Sequence, residues 1–280
     1  MESIHKKNVK ERFVRGNSDT KTVNNFKISK HNVNSRLLHK LENVNCIYIN
    51  ADCLTNKISE LRLQVKNHNP QIMGITEVKP KNFRYQLSDC EIALEGYELF
   101  GSNLQNKTGR GVCIYIQTTL QANPVEFKTN FEESVWASIK LVDGDELLIG
   151  CIYRSSSGND TNNENLLKLL LEINKAKYSH VLIMSDFNFE KINWDTWSTP
   201  SNESGIDFKF IECIRDSFLF QHVNKPTRAR IDHEPHILDL VLTNEEGMIS
   251  NIEYLSPLRK SDDSLLQFTF NCYIQQATKE

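Results

Sequence analysis

Six short stretches of this 280-residue chain place carboxylates, amides and a phenol at the edges of apolar runs or inside them. They are Asn50 with Asp52, Glu77, Tyr153 with Arg154, Asp186 with Asn188, Asp239, and the pair Asp262 and Asp263. Strand ends are where loops present chemistry from a rigid scaffold. Singly, each is weak evidence, because an Asp behind a strand commonly caps or turns the chain. Asp239 stands apart: it lies between Leu238 and Leu240, and a buried carboxylate needs a hydrogen-bond partner or a metal. Together, many oxygen donors and few histidines suit a hard cation such as Mg²⁺, with Mn²⁺ as the alternative, and not zinc. Such an ion serves phosphate chemistry by offsetting charge that develops on phosphoryl oxygens.

The elements that must position these residues follow from periodicity. Buried apolar runs predict strands at 44–50, 71–77, 111–117, 134–142, 146–153, 180–187, 237–244 and 265–273. The GDE at 144–146 suits a hairpin turn. Leu54, Ile58, Leu61 and Val65 fall at helical spacing and stop at the Asn-Pro of 69–70; further helices are expected at 162–175 and 208–216. Strands interspersed with helices give an α/β or α+β class of layered sheets.

Composition bounds the function. With 39% hydrophobic and 25% charged residues the chain can bury a core. No apolar run nears the roughly 18 residues of a membrane span, and MESIHKKNVKERF lacks the apolar centre of a secretory signal. An intracellular, monomeric protein without a membrane partner is expected, its compartment open. The seven cysteines are odd in number and form no CxxC pair, so they read as reduced thiols. Residues 1–40 carry 10 basic against 3 acidic residues, and the remainder 23 against 33. Residues 1–43 are therefore expected to be a disordered basic arm, with a short helical turn at 35–44, before one domain at 44–274 and a tail at 275–280. The arm suits a solvated leader or a contact to nucleic-acid phosphates.

The ordered set Asn50-x-Asp52, Ile-Thr-Glu77, Tyr153-Arg154, Ser-Asp186-Phe-Asn188, Leu-Asp239-Leu and Ser261-Asp262 resembles the endonuclease/exonuclease/phosphatase superfamily. NADCLTNKISEL, GITEVKPKN, GRGVCIYI, CIYRSSS, PTRAR and LDLVLTNEEGM resemble one branch of it, the endonuclease domains of jockey- and CR1-like non-long-terminal-repeat retrotransposons. The resemblance implies a four-layer sandwich, two mixed sheets face to face with helices outside. It implies Mg²⁺-dependent hydrolysis of a DNA phosphodiester, leaving a 3′-hydroxyl for a reverse transcriptase domain of the parent element, of which this chain would be a fragment. By position, Glu77 would bind the metal with Asn50 and Asp52 nearby. Asp186 would orient or activate water, Asn188 hold the phosphate, and Tyr153 contact phosphate or leaving group. Asp262 would lie near the metal or support its neighbour, and Asp239 would orient the family's histidine.

Two positions depart from the pattern. The family's Ser-Asp-His reads Ser261-Asp262-Asp263 here, and an ionised Asp can only accept hydrogen bonds. Ser185 stands where the family usually has Gly, which fits unless the backbone needs a positive φ. Arg154, Arg228 and Arg230 are candidate contacts to DNA phosphates; Arg228 and Arg230 equally suit a solvated loop. Gly109 and Gly111 read as a turn entering a strand, and Trp194 and Trp197 as core packing ahead of base stacking. Besides an endonuclease, a decayed nucleic-acid-binding remnant and a phosphodiesterase of small phosphoesters or lipid headgroups remain open readings.

Overall fold

The computed structural model describes residues 38–80, 86–106, 109–176, 178–228, 234–258, 261 and 263–277. In chain order its strands and helices are β1 (Leu38–Asn50), α1 (Ile58–His68), β2 (Ile72–Thr76), α2 (Asp89–Ile92), β3 (Tyr97–Ser102), β4 (Val112–Gln117), β5 (Asn123–Pro124), β6 (Ser134–Lys140), β7 (Glu146–Tyr153), α3 (Asp160–Lys175), β8 (His180–Asp186), α4 (Ile206–Asp216), β9 (Phe220–Gln221), β10 (Asp239–Thr243), β11 (Ile249–Leu255) and β12 (Leu265–Ala277).

They form two six-stranded mixed sheets, ordered β11-β12-β1-β2-β4-β3 and β5-β6-β7-β8-β10-β9. Each sheet holds one parallel pair, β1 with β2 and β7 with β8. A parallel pair needs a crossover, which α1 and α3 supply. Outward from each pair the neighbouring strands run antiparallel in the same sequence, so the two sheets repeat one plan.

Three apolar clusters hold the layers. Tyr48, Ile114 and Phe268 of the first sheet meet Ile149, Met184 and Val241 of the second between the sheets. Leu166, Leu170, Phe210 and Ile214 of α3 and α4 cover the outer face of the second sheet. Leu61 and Ile92, from α1 and α2, cover the outer face of the first. The sheets approach closely at Gly74, where a Cβ would fall 2.9 Å from the Met184 methyl carbon. The expected four-layer α/β sandwich is the observed one.

The local expectations fare unevenly. The strands at 146–153 and 180–187 fall where expected, and the turn between β6 and β7 is a 3-10 turn at Val142–Gly144. The helical turn expected at 35–44 is replaced by strand: β1 already begins at Leu38, pairing with Ala277 of β12. The partner strand, a long-range contact, overrides the local pattern there, and β12 likewise runs past the expected end at 273 into residues expected as tail. The arm's residues 1–37 lie outside the described residues.

Candidate active site

The chemistry-bearing side chains converge where the two parallel pairs end. The strand ends are extended by further backbone bonds. Ala51 N–H donates to Thr76 O at 3.0 Å and Cys53 N–H to Glu77 O at 2.8 Å, while Lys79 N–H donates to Arg110 O at 2.7 Å. The loops behind β1 and β2 and ahead of β4 are therefore zipped together, and Glu77 is held at φ 54° and Asp52 at φ 36°.

Asn50 and Asp186 end β1 and β8, one strand of each sheet, and make equivalent turns. Asn50 Oδ1 accepts the N–H of Asp52 at 3.2 Å, and Asp186 Oδ1 accepts the N–H of Asn188 at 3.1 Å. Asn50 Nδ2 then donates to Asp186 Oδ2 at 2.9 Å, joining the two sheets. Asp186 is buried. Burial, then the charges of Asp239, Glu77 and Asp263, push its carboxyl well above the usual range.

Asp239 is the strand partner of Asp186 and is also buried. Its Oδ1 accepts from Tyr48 Oη at 2.9 Å, and its N–H donates to Thr227 Oγ1 at 3.2 Å. Its Oδ2 is buried without a hydrogen-bond partner. Burial raises the Asp239 carboxyl to about 6. No histidine meets it from position 263. Asp263 is itself buried and instead faces Arg228, with Arg228 Nε 3.7 Å from its Oδ1.

Glu77, Tyr153, Asn188, Arg110 and Arg228 line one cleft of about 510 Å³. Tyr153 is Cα-paired with Asp186 on the neighbouring strand. Burial, then the charges of Glu77 and Asp186, hold the Tyr153 hydroxyl well above its ordinary range, so it remains a neutral donor. Ser261 Oγ donates to Asn50 O at 3.1 Å and ties Ser261 to the same place.

Several expectations change. Arg154 does not reach the cleft as a DNA contact. It is buried, donates from Nε to Asn163 Oδ1 at 2.8 Å and from Nη1 to Phe187 O at 3.0 Å, and stacks 4.1 Å over the Phe189 ring. It pins the loop carrying Asn188, whose Nδ2 donates back to Arg154 O at 2.9 Å. Arg230 and Asp262 lie outside the described residues. Ser185 sits in β8 without a positive φ, and its Oγ donates to Leu240 O, so serine is accommodated. Trp194 packs edge-on against Trp197 and Phe210 in the core.

Two participants escaped the sequence reading. Tyr48 was hidden in an apolar strand, where only its hydroxyl signals a polar partner. Arg110 was hidden in the Gly-Arg-Gly turn. Gly109 and Gly111 have φ of 75° and 71° there, and Glu133 accepts the N–H of Arg110 at 3.2 Å. The expected turn is thus present, and the Glu133 carboxylate also faces the N–H of Gly111. Arg110 Nη2 reaches Glu77 Oε2 at 2.6 Å and Asp52 Oδ1 at 2.7 Å, and Nε donates to Lys79 O at 2.8 Å.

This arrangement does not fit the expected Mg²⁺ or Mn²⁺. Asp52 and Glu77 are engaged by a guanidinium, and Asn50 by Asp52 and Asp186. Among the described residues no three His, Cys, Asp or Glu side chains are set to hold a metal ion.

A family model described as endonuclease-reverse transcriptase matches residues 147–264. Among curated proteins no sequence matches the chain. Solved structures share its fold at low identity. The AP endonuclease LMAP of Leishmania major is 13% identical with a TM-score of 0.62, over 82% of this chain and 88% of that one. The endonuclease domain of TRAS1, a telomere-specific non-LTR retrotransposon, is 14% identical with a TM-score of 0.61, over 82% and 99%. The 3′ phosphatase NExo of Neisseria, bound to product DNA hairpin, is 12% identical with a TM-score of 0.59, over 81% and 99%. No described helix is long and apolar enough to cross a membrane. The matched segment is thus similar to that family, and the two-sheet sandwich is the fold these solved structures share.

Proposed function

We propose that this chain binds DNA in the cleft of Glu77, Tyr153, Asn188 and Arg228 and hydrolyses a backbone phosphodiester there. The observation that carries the reading is the buried Asp186 carboxylate, fixed by Asn50 Nδ2 and the Asn188 N–H beside the neutral donor Tyr153. A carboxyl raised above its usual range is a stronger base when ionised. Asp186 would orient a water and take its proton as the water oxygen bonds to phosphorus. The P–O bond opposite breaks, and the departing oxygen takes a proton from Tyr153 or solvent. Arg228 and Tyr153 would offset the phosphate charge. With the 3′ oxygen departing, the 3′-hydroxyl released would be an end that a reverse transcriptase can extend. DNA-acting proteins among the fold neighbours support the substrate class.

The test is conversion of supercoiled plasmid to the nicked form, both in a chelator and with Mg²⁺ or Mn²⁺ present. The native chain should nick and Asp186→Asn should not. Asp263 favours a second reading, in which the chain binds DNA without hydrolysing it. Retarded but uncut DNA would be its result.

A further inference from the structure

We infer that Arg110 takes the place of a divalent cation in the acidic corner of the cleft. The inference rests on reading this cleft as the functional site, but not on whether it hydrolyses anything. Two carboxylates from different loops, Asp52 and Glu77, meet one guanidinium nitrogen at 2.7 and 2.6 Å. The Arg110 side chain is only 7% exposed. Its remaining reach is committed as well, since Nε donates to Lys79 O.

The backbone holds it there. Arg110 N–H is taken by Glu133 and its carbonyl by the N–H of Lys79. The flanking glycines occupy a left-handed conformation that L side chains rarely adopt. A Cβ on Gly109 would fall 2.1 Å from Asn103 Nδ2 and one on Gly111 3.0 Å from a Leu104 methyl carbon. The turn is thus shaped to aim one cationic side chain at Asp52 and Glu77. A hard cation seeks oxygen ligands of this kind, and it would share them with a like charge that has no room to withdraw without breaking three bonds. A guanidinium is always charged, so it offsets one of the two carboxylate charges without any ion from solution.

The experiment is Mn²⁺ uptake by the full chain, read from the electron paramagnetic resonance signal of free Mn²⁺. The native chain should leave Mn²⁺ free up to about 1 mM, the weak limit of carboxylate sites. Arg110→Gln should take up one Mn²⁺ at least about tenfold more tightly, and Arg110→Gln with Glu77→Gln should lose it. Glu77-dependent uptake by the native chain below about 1 mM would overturn the inference. So would an Arg110→Gln variant that gains no affinity. Should that variant fail to fold, native chain and Glu77→Gln decide alone: Glu77-dependent uptake overturns the inference and its absence supports it. DNA cleavage is not read, so a failure of the hydrolytic reading leaves this result distinguishable.

Discussion

Asn50 ends a strand of one sheet, Asp186 a strand of the other, and the two meet through a 2.9 Å hydrogen bond. The bond serves packing and chemistry together. It clamps the sandwich at its open end and fixes the carboxylate that would face a water. Asn50→Leu keeps the branched outline but leaves a buried carboxylate oxygen without its donor, which costs about 1–3 kcal/mol. Urea unfolding should show this loss. Asn50→Asp should lose more at neutral pH than at pH 4, because two carboxylates would then face each other.

Asp239 supplies a pH dependence with a definite sign. Its folded-state value of about 6 lies above the ordinary 3.8. A raised acid favours the folded state fully below the unfolded value, and that stability is lost as pH rises through the folded one. The window therefore runs from about pH 4 to pH 6, and the loss is of order 3 kcal/mol. Asp239→Asn should remove most of this slope. The check is chemical denaturation at pH 4 and pH 7.5, comparing the native-minus-variant difference.

Arg154 and Arg228 should separate cleanly. Arg154→Ala strips donors from Asn163 and Phe187 O in the core, and about 3 kcal/mol of stability should go with them. The salt dependence of DNA binding by the folded fraction should not change. Arg228→Ala takes a positive charge from beside buried Asp263 and so should also cost stability, but it alone should lower the slope of log affinity against log salt by about 1, one phosphate contact fewer. Fluorescence anisotropy at several salt concentrations reads both.

Position 263 is expected to limit hydrolysis. Asp263 adds to the negative charge around Asp186, and Asp239 Oδ2 is left without a donor. Loss of one well-placed transition-state donor costs about 10²–10³ in rate. Asp263→His should raise plasmid nicking at least about tenfold. The gain should vanish when Asp186→Asn is added. A native chain that nicks as fast as Asp263→His would refute this.

What the sequence disclosed follows the physics of each element. β7 and β8 are buried on both faces, and such strands read as continuous apolar runs. β3 and β11 passed unnoticed because much of their length stays partly or fully exposed and their runs are broken by polar residues. The start of β1 at Leu38 depends on pairing with the far end of the chain, which no local window contains. In the site, Asp186, Asn188, Tyr153 and Glu77 were legible from type and order. Arg154 was misassigned because an arginine's type says nothing about which way it points. Arg110 was overlooked because flanking glycines signal a turn and hide what the turn presents.

Tyr48 and Asn50 lie two apart on β1, so both point to the inner face, one to Asp239 and the other to Asp186. A strand slipped by one residue turns every side chain to the opposite face. In this chain such a slip would strand two buried carboxylates at a stroke, each robbed of its donor. β1 thus carries an error check on its own alignment: a misregistered sandwich is penalised at the two points where its chemistry would be assembled, and a chain that packs correctly there has already set its carboxylates in place.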